Sequence, residues 1–240
     1  MKFLKYYDIG IGTVPIILSC PHGGFLKPKD IPDKLSGDSL ADKNKYLITK
    51  RIIQVLKENN IQVYYILCKI HRSKLDLNRP PRSVTAYNHS SIEAREIYNY
   101  FHKKIYEFSQ QCVSLYNRCL FIDLHGFSRP KKNYPDVILG NLFGSSLSIL
   151  ENSMVNNEIS YWGFSNMVDE LSKHYTLDDG LGKNDFNLAY SGGYITHRFY
   201  RKNNINAFQL EVAKYIREDV ELTKIFVNLC VSALLKSLEE

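Results

Sequence analysis

Three short apolar runs each stop at a polar, glycine- or proline-bearing segment, and two amphipathic stretches separate them. This alternation limits what the chain can fold into more than any other feature. Residues 14–20 form the first run and halt at Pro21-His-Gly-Gly24, the pattern of a buried strand closing in a tight loop. Residues 61–70 form a second run, rich in β-branched and aromatic side chains, which is left by the polar segment 71–82 containing Pro80-Pro81. Residues 119–124 form the third and meet His125-Gly126. Between the first two, residues 42–59 carry Tyr46, Leu47, Ile52, Ile53, Val55 and Leu56 at helical spacing, with Asp38 or Asp42 near the start and Asn59-Asn60 at the close. Between the second and third, residues 91–115 place Ile92, Ile97, Tyr98, Phe101, Ile105, Phe108 and Cys112 along a helix. The order β, α, β, α, β predicts an α/β sheet with substantial parallel character.

The second half is less strongly patterned. A strand is expected over 137–142, a helix over 159–174, a Gly/Asp/Asn-rich segment over 178–187 and a strand over 205–212. A closing helix over 218–238 is expected to bury Val220, Ile225, Phe226, Leu229 and Leu234. No repeat, low-complexity tract or linker interrupts the 240 residues, so a single domain over 1–240 is expected. Hydrophobic residues make up 44% and charged residues 23%, which excludes the composition of a disordered chain. The net charge of +6 is spread along the sequence, which suits a small anionic partner and argues against nucleic acid. The five cysteines are odd in number and form no CxxC pair, so reduced thiols in a cytoplasmic setting are expected. No signal peptide follows the N-terminal lysines, and no apolar run approaches the roughly 20 residues that span a bilayer.

In an open α/β sheet, ligands bind at the carboxyl ends of the strands, so the three polar stops are expected to converge in one cleft. His22 and His125 both stand beside glycine at such ends, and a neutral imidazole there is a typical zinc ligand. Each histidine alone also reads as a hydrogen-bonded polar residue in a turn. Asp38 and Asp42 read equally as caps of the first helix. Asp123 shares a strand face with His125 and reads as its hydrogen-bonding partner or as a buried acid. His102, among Tyr98, Phe101 and Ile105, reads as a core histidine, while His197 and Arg198 are both candidates to line the pocket.

Five segments, in order, resemble the N-formylglutamate amidohydrolases, relatives of the zinc carboxypeptidases and of the aspartoacylase group. They are Ser19-Cys-Pro-His-Gly-Gly24, His71-Arg-Ser-Lys-Leu-Asp-Leu-Asn-Arg-Pro80, Ile122-Asp-Leu-His-Gly126, Gly192-Gly-Tyr-Ile-Thr196 and Gln209-Leu-Glu211. The resemblance implies an α/β sandwich around a mixed, mostly parallel central sheet of the zinc-carboxypeptidase kind. It also implies one zinc ion that activates water against the amide of a small anionic N-acyl amino acid. His22 and His125 correspond to the histidine ligands. The pattern departs at Phe25, which stands where carboxypeptidase relatives carry a ligating glutamate; Asp42, with Asp38 as the alternative, resembles the acidic ligand instead. By the same resemblance Glu211 is the general base, Arg72 faces the oxyanion, and Asn78 with Arg79 holds a substrate carboxylate. Asp76 between them is expected to orient Arg72 or Arg79, and the whole segment also reads as an arginine–aspartate network that only holds its loop.

Other readings stay open at this point. A zinc carboxypeptidase or peptidoglycan-type amidase would use the same metal and base. A degenerate member that binds a ligand without turnover is motivated by Phe25 and the uncertain third ligand. A basic protein associated with nucleic acid is the most distant alternative.

Overall fold

In a computed structural model, the structure describes residues 3–131, 133–149, 154–155, 158–182 and 189–240. Strands β1 (Tyr7–Gly10) and β2 (Ile16–Cys20) lead to helix α1 (Lys45–Glu58), strand β3 (Tyr64–Cys68), helix α2 (Ile92–Tyr116) and strand β4 (Cys119–Phe127). Strands β5 (Val137–Gly140), β6 (Met154–Val155) and β7 (Glu158–Ile159) precede helix α3 (Phe164–Ser172) and strand β8 (Leu177–Asp178). Helix α4 (Tyr194–His197), strand β9 (Ile205–Ala213) and helices α5 (Lys214–Glu218) and α6 (Val220–Glu239) complete the order. Seven strands form one sheet in the order β1-β3-β2-β4-β9-β5-β8, and β6 pairs with β7 apart from it. Strands β3, β2, β4 and β9 run parallel; β1 is antiparallel to β3, and β5 is antiparallel to β9 but parallel to β8. The expected α/β fold with a mixed, mostly parallel sheet is what the chain adopts.

The connections explain where a ligand site belongs. From β2 the chain passes through α1 to β3 on one side, then through α2 to β4 on the other side of β2. Right-handed crossovers in opposite directions put the two helices on opposite faces and open a crevice at the carboxyl ends of β2 and β4. The core divides accordingly. Ile16, Leu18, Ile122, Leu124, Phe208 and Leu210 pack with Ile48, Ile52 and Leu56 of α1 and with α3 and α6. Ile17, Phe121, Ile205 and Ala207 pack with Ile97, Phe101, Ile105 and Phe108 of α2.

Local signals account for most boundaries. Ser91 caps α2 by accepting the Ala94 N–H at 3.1 Å, and Asn117 ends it in the left-handed region at φ 54°. Neither Asp38 nor Asp42 caps α1; its N-cap is Asn44, and the Asp42 carboxylate instead accepts the Gly126 N–H at 3.1 Å. The expected closing helix divides at Asp219, whose extended backbone ends α5 and whose side chain caps α6 through the Leu222 N–H. That break leaves Val220 exposed rather than buried, while Phe226 and Leu234 do enter the core. The helix expected over 159–174 shortens to α3, and part of the segment expected over 178–187 lies outside the described residues. The sequence reading missed β1, whose four residues are too few for a period to emerge. All five cysteines are free and buried. Among the described residues, no helix is long and apolar enough to cross a membrane.

Candidate metal centre

Polarity along one sheet face builds the site. On β4, Cys119, Phe121, Asp123 and His125 alternate onto the same side, and their register partners on β9 are Ile205, Ala207, Gln209 and Glu211. The first half of this face is apolar and is covered by α2; the second half is polar and opens into the crevice. His125 and Glu211 therefore lie within the strands rather than beyond them. His22 enters from the adjacent strand, two residues past the end of β2.

His22, Asp42 and His125 are all buried and each offers one ligand atom within 4.8 Å of the others. Asp42 Oδ2 lies 3.7 Å from His22 Nδ1 and 3.6 Å from His125 Nδ1, near the edge of a tetrahedron with metal bonds of about 2.0–2.1 Å. The opposite ring nitrogens are taken by acids: His22 Nε2 lies 2.7 Å from Asp76 Oδ1, and His125 Nε2 lies 2.7 Å from Asp123 Oδ2. A carboxylate only accepts, so each Nε2 donates to its acid and each Nδ1 is left as the ring atom facing Asp42. Two imidazole Nδ1 atoms and a carboxylate oxygen fit one metal ion. Asp38 lies outside this group; its carboxylate rests on Arg72 and Arg79. Phe25 is exposed, sets its ring against Tyr46 and does not line the cavity.

Burial would favour a neutral Asp42, yet the two histidines hold its carboxyl well below the usual carboxylate range. Burial would also lower the His125 pKa, but Asp123, Asp42 and Glu211 together carry it up to about 10. The His125 shift reflects three acids around one imidazole, negative charge that a cation beside Nδ1 would relieve.

Glu211 is buried at the cavity wall. Its Oε1 accepts Gln209 Nε2 at 2.6 Å, and its Oε2 has no hydrogen-bond partner among the described residues. Burial raises its pKa, against the pull of His125. Gln209 accepts the Gly193 N–H at 2.9 Å through Oε1, which fixes the amide with its NH₂ toward Glu211. Asn78 reaches the same corner: its Oδ1 accepts the Ile195 N–H at 2.9 Å, and Nδ2 lies 3.4 Å from Gln209 Oε1. A side chain at Gly193 would place Cβ 2.0 Å from Asn78 Nδ2, so only glycine lets this loop close over the amide.

Asp76 serves several partners and accepts the Asn78 N–H at 3.0 Å through Oδ1. Besides His22, it accepts Arg72 Nε at 3.0 Å through Oδ2, with Arg79 Nε at 3.9 Å. Arg72 is largely buried; Arg79 is more open. Both line a cavity of about 800 Å³ with His22, Asp42, His125 and Glu211. His197 and Arg198 are exposed and do not line it, and His102 is buried against Tyr98, Phe101 and Tyr194 as a core residue.

Sequence reasoning missed Arg217 and gave Gln209 no role of its own. Arg217 threads beside Gly126, where a Cβ would lie 2.5 Å from the guanidinium, and donates to the carbonyls of Val212, Lys43 and Phe127. It thereby ties the segment bearing Asp42 to the ends of β4 and β9. Nothing in its local sequence marks this, whereas Gln209 stood inside a recognised segment.

The fold and the site together define an α/β protein with a candidate site for one metal ion at the carboxyl edge of its sheet. No protein-family model and no curated protein matches the chain. Among solved structures, the chain is similar to an N-formylglutamate amidohydrolase from Ralstonia eutropha JMP134, at 14% identity and TM-score 0.68, covering 98% of this chain and 97% of that one. It is also similar to a gene product of Agrobacterium tumefaciens, at 13% identity and TM-score 0.67, covering 98% and 94%. The resemblance read from the five segments is thus met in the fold.

Proposed function

We propose that the chain is a zinc-dependent amidohydrolase acting on a small N-acyl amino acid such as N-formylglutamate. The observation that carries this reading is the buried His22–Asp42–His125 group with the unpartnered Glu211 Oε2 and the guanidinium groups of Arg72 and Arg79 in one cavity. The fold shared with the Ralstonia amidohydrolase supports it. His22, Asp42 and His125 would hold the ion, which when bound supplies Lewis acidity and activates water at neutral pH.

The chain's own groups do the rest. Glu211 takes the water's proton at Oε2 while Gln209 steadies Oε1, and then delivers it to the leaving nitrogen as the C–N bond breaks. Burial, which raises its pKa, suits a carboxyl that takes up a proton and passes it on. Arg72 faces the carbonyl oxygen as negative charge grows there. Arg79, with the Asn78 amide, holds the substrate carboxylate through the planar fork of its guanidinium. The free, buried thiols fit a reducing, cytoplasmic compartment.

The test is hydrolysis of N-formylglutamate by protein of measured zinc content, before and after chelation. Formate release that stops on chelation and returns with zinc is expected. A protein that binds no metal, or that cleaves only peptides or muropeptides, overturns the reading.

A further inference from the structure

The carboxylate subsite of the proposed function already holds a carboxylate from the chain itself. One oxygen, Asp38 Oδ2, lies 3.4 Å from Arg72 Nη2 and 3.5 Å from Arg79 Nη2. The inner sides of the same guanidinium groups face the buried Asp76. Lys34 Nζ donates to the Asp38 carbonyl at 2.6 Å and lies 3.8 Å from Asp76 Oδ2. Three cations therefore gather around two carboxylates, of which Asp76 is buried and shared with His22 while Asp38 is 65% exposed.

Nothing in the core anchors Asp38. Residues 35–40 are all exposed, including Leu35 and Leu40, and Gly37 turns the chain at φ 84°. Withdrawing Asp38 would uncover no apolar core, and exposed ion pairs of this kind are weak. It would leave Arg79 facing Asp76, and Arg72 facing Asp76 and Asp42, whose Oδ1 lies 3.9 Å from Arg72 Nη1; both acids already serve the histidines.

We infer that Asp38 is an internal competitor of the substrate: a carboxylate of the chain that occupies the anion subsite on Arg72 and Arg79 and is exchanged for the carboxylate of the substrate. The inference rests on the reading of that subsite given above. An anionic ligand replaces Asp38 charge for charge, whereas a neutral ligand would have to strip it from both arginines without compensation. Asp38 thus lowers the apparent affinity of every ligand that enters the subsite by one common factor, while the two arginines set the preference for an anion.

The experiment is calorimetric titration of the zinc-loaded protein with glutarate and with glutaramide, which needs no turnover. Asp38→Asn is expected to bind glutarate on the order of 3- to 5-fold more tightly than the unmodified protein. Asp33→Asn removes the same charge from a neighbouring exposed acid that pairs with Lys74, and is expected to leave glutarate affinity unchanged. The gain should disappear in Asp38→Asn combined with Arg79→Gln, which separates the subsite from direct binding to the metal. Glutaramide should bind both the unmodified protein and Asp38→Asn at least 10-fold more weakly than glutarate, and equal binding of the two ligands overturns the inference.

Unchanged or weaker glutarate binding in Asp38→Asn overturns the inference, as does an equal gain in Asp33→Asn or a gain that survives Arg79→Gln. Failure of both proteins to bind glutarate also overturns it. A gain confined to Asp38→Asn in a protein that does not hydrolyse N-formylglutamate upholds the inference and overturns the proposed activity instead.

Discussion

Nε2 of His125 lies 2.7 Å from Oδ2 of Asp123, two residues earlier on the same strand, and the other oxygen of Asp123 accepts the hydroxyl of Ser19. Ser19 and Asp123 are register partners on the parallel strands β2 and β4. The imidazole is thus oriented by a carboxylate that is itself fixed from the neighbouring strand, with no exposure to solvent.

Asp123→Asn tests this arrangement. The amide keeps the shape but can turn its NH₂ toward Nε2, favouring the tautomer that carries the proton on Nδ1 and loses the lone pair. Metal affinity, measured by competition with a chromophoric chelator, should fall by about 10- to 100-fold. A melting temperature close to that of the unmodified metal-free protein would show that the loss is one of orientation.

Glu211→Gln should leave metal binding nearly intact while lowering kcat on N-formylglutamate by on the order of 10²-fold or more. Gln fills the same space beside Gln209 but cannot accept the proton. Metal stoichiometry together with single-turnover rates checks both halves of the expectation, and an active variant ends the assignment.

Substitutions at the two arginines should separate. Arg79→Lys keeps the charge and loses the fork, so KM for a carboxylate substrate should rise well beyond any change in kcat. Arg72→Lys should instead depress the rate at saturating substrate, because its contact strengthens as the oxyanion forms. Steady-state kinetics on N-formylglutamate and on its carboxamide analogues distinguishes the two.

Lys45 is fully buried at the start of α1, and its Nζ has no hydrogen-bond partner among the described residues. Burial, reinforced by Arg217, lowers its pKa to about 8 from the ordinary 10.5. Between those values the unfolded chain binds more protons, so its contribution to stability rises with pH across the window and is most unfavourable below pH 8. Lys45→Met should therefore stabilise the protein most near pH 7. The gain in melting temperature should shrink as pH rises from 8 toward 10.5, as thermal unfolding across that range would show.

Much of the fold was legible because its signals are local. The apolar runs ending at His22, Arg72 and His125 mark buried strands with polar mouths, and Ser91 marks the start of α2 through a bond to a residue three places on. Boundaries failed where a neighbour distant in sequence decided them. β4 continues through Phe127 because β9 pairs with it to the end, and Val220 is exposed where Asp219 breaks the helix and caps a new one.

By itself the sequence determined which chemical groups stand at the ends of which strands: two glycine-flanked histidines, a loop with two arginines, and a glutamate two residues after a glutamine. Tertiary structure alone set Asp42 and Asp38, four residues apart in one irregular segment, in different surroundings, the first on the Gly126 amide beside both histidines and the second on Arg72 and Arg79. It alone recruited Asp76 to His22 and Arg217 to three carbonyls from separate segments. The physical reason is range. Period, caps and turns act over a few residues, whereas a ligand set depends on distances across crossovers that spacing along the chain does not specify.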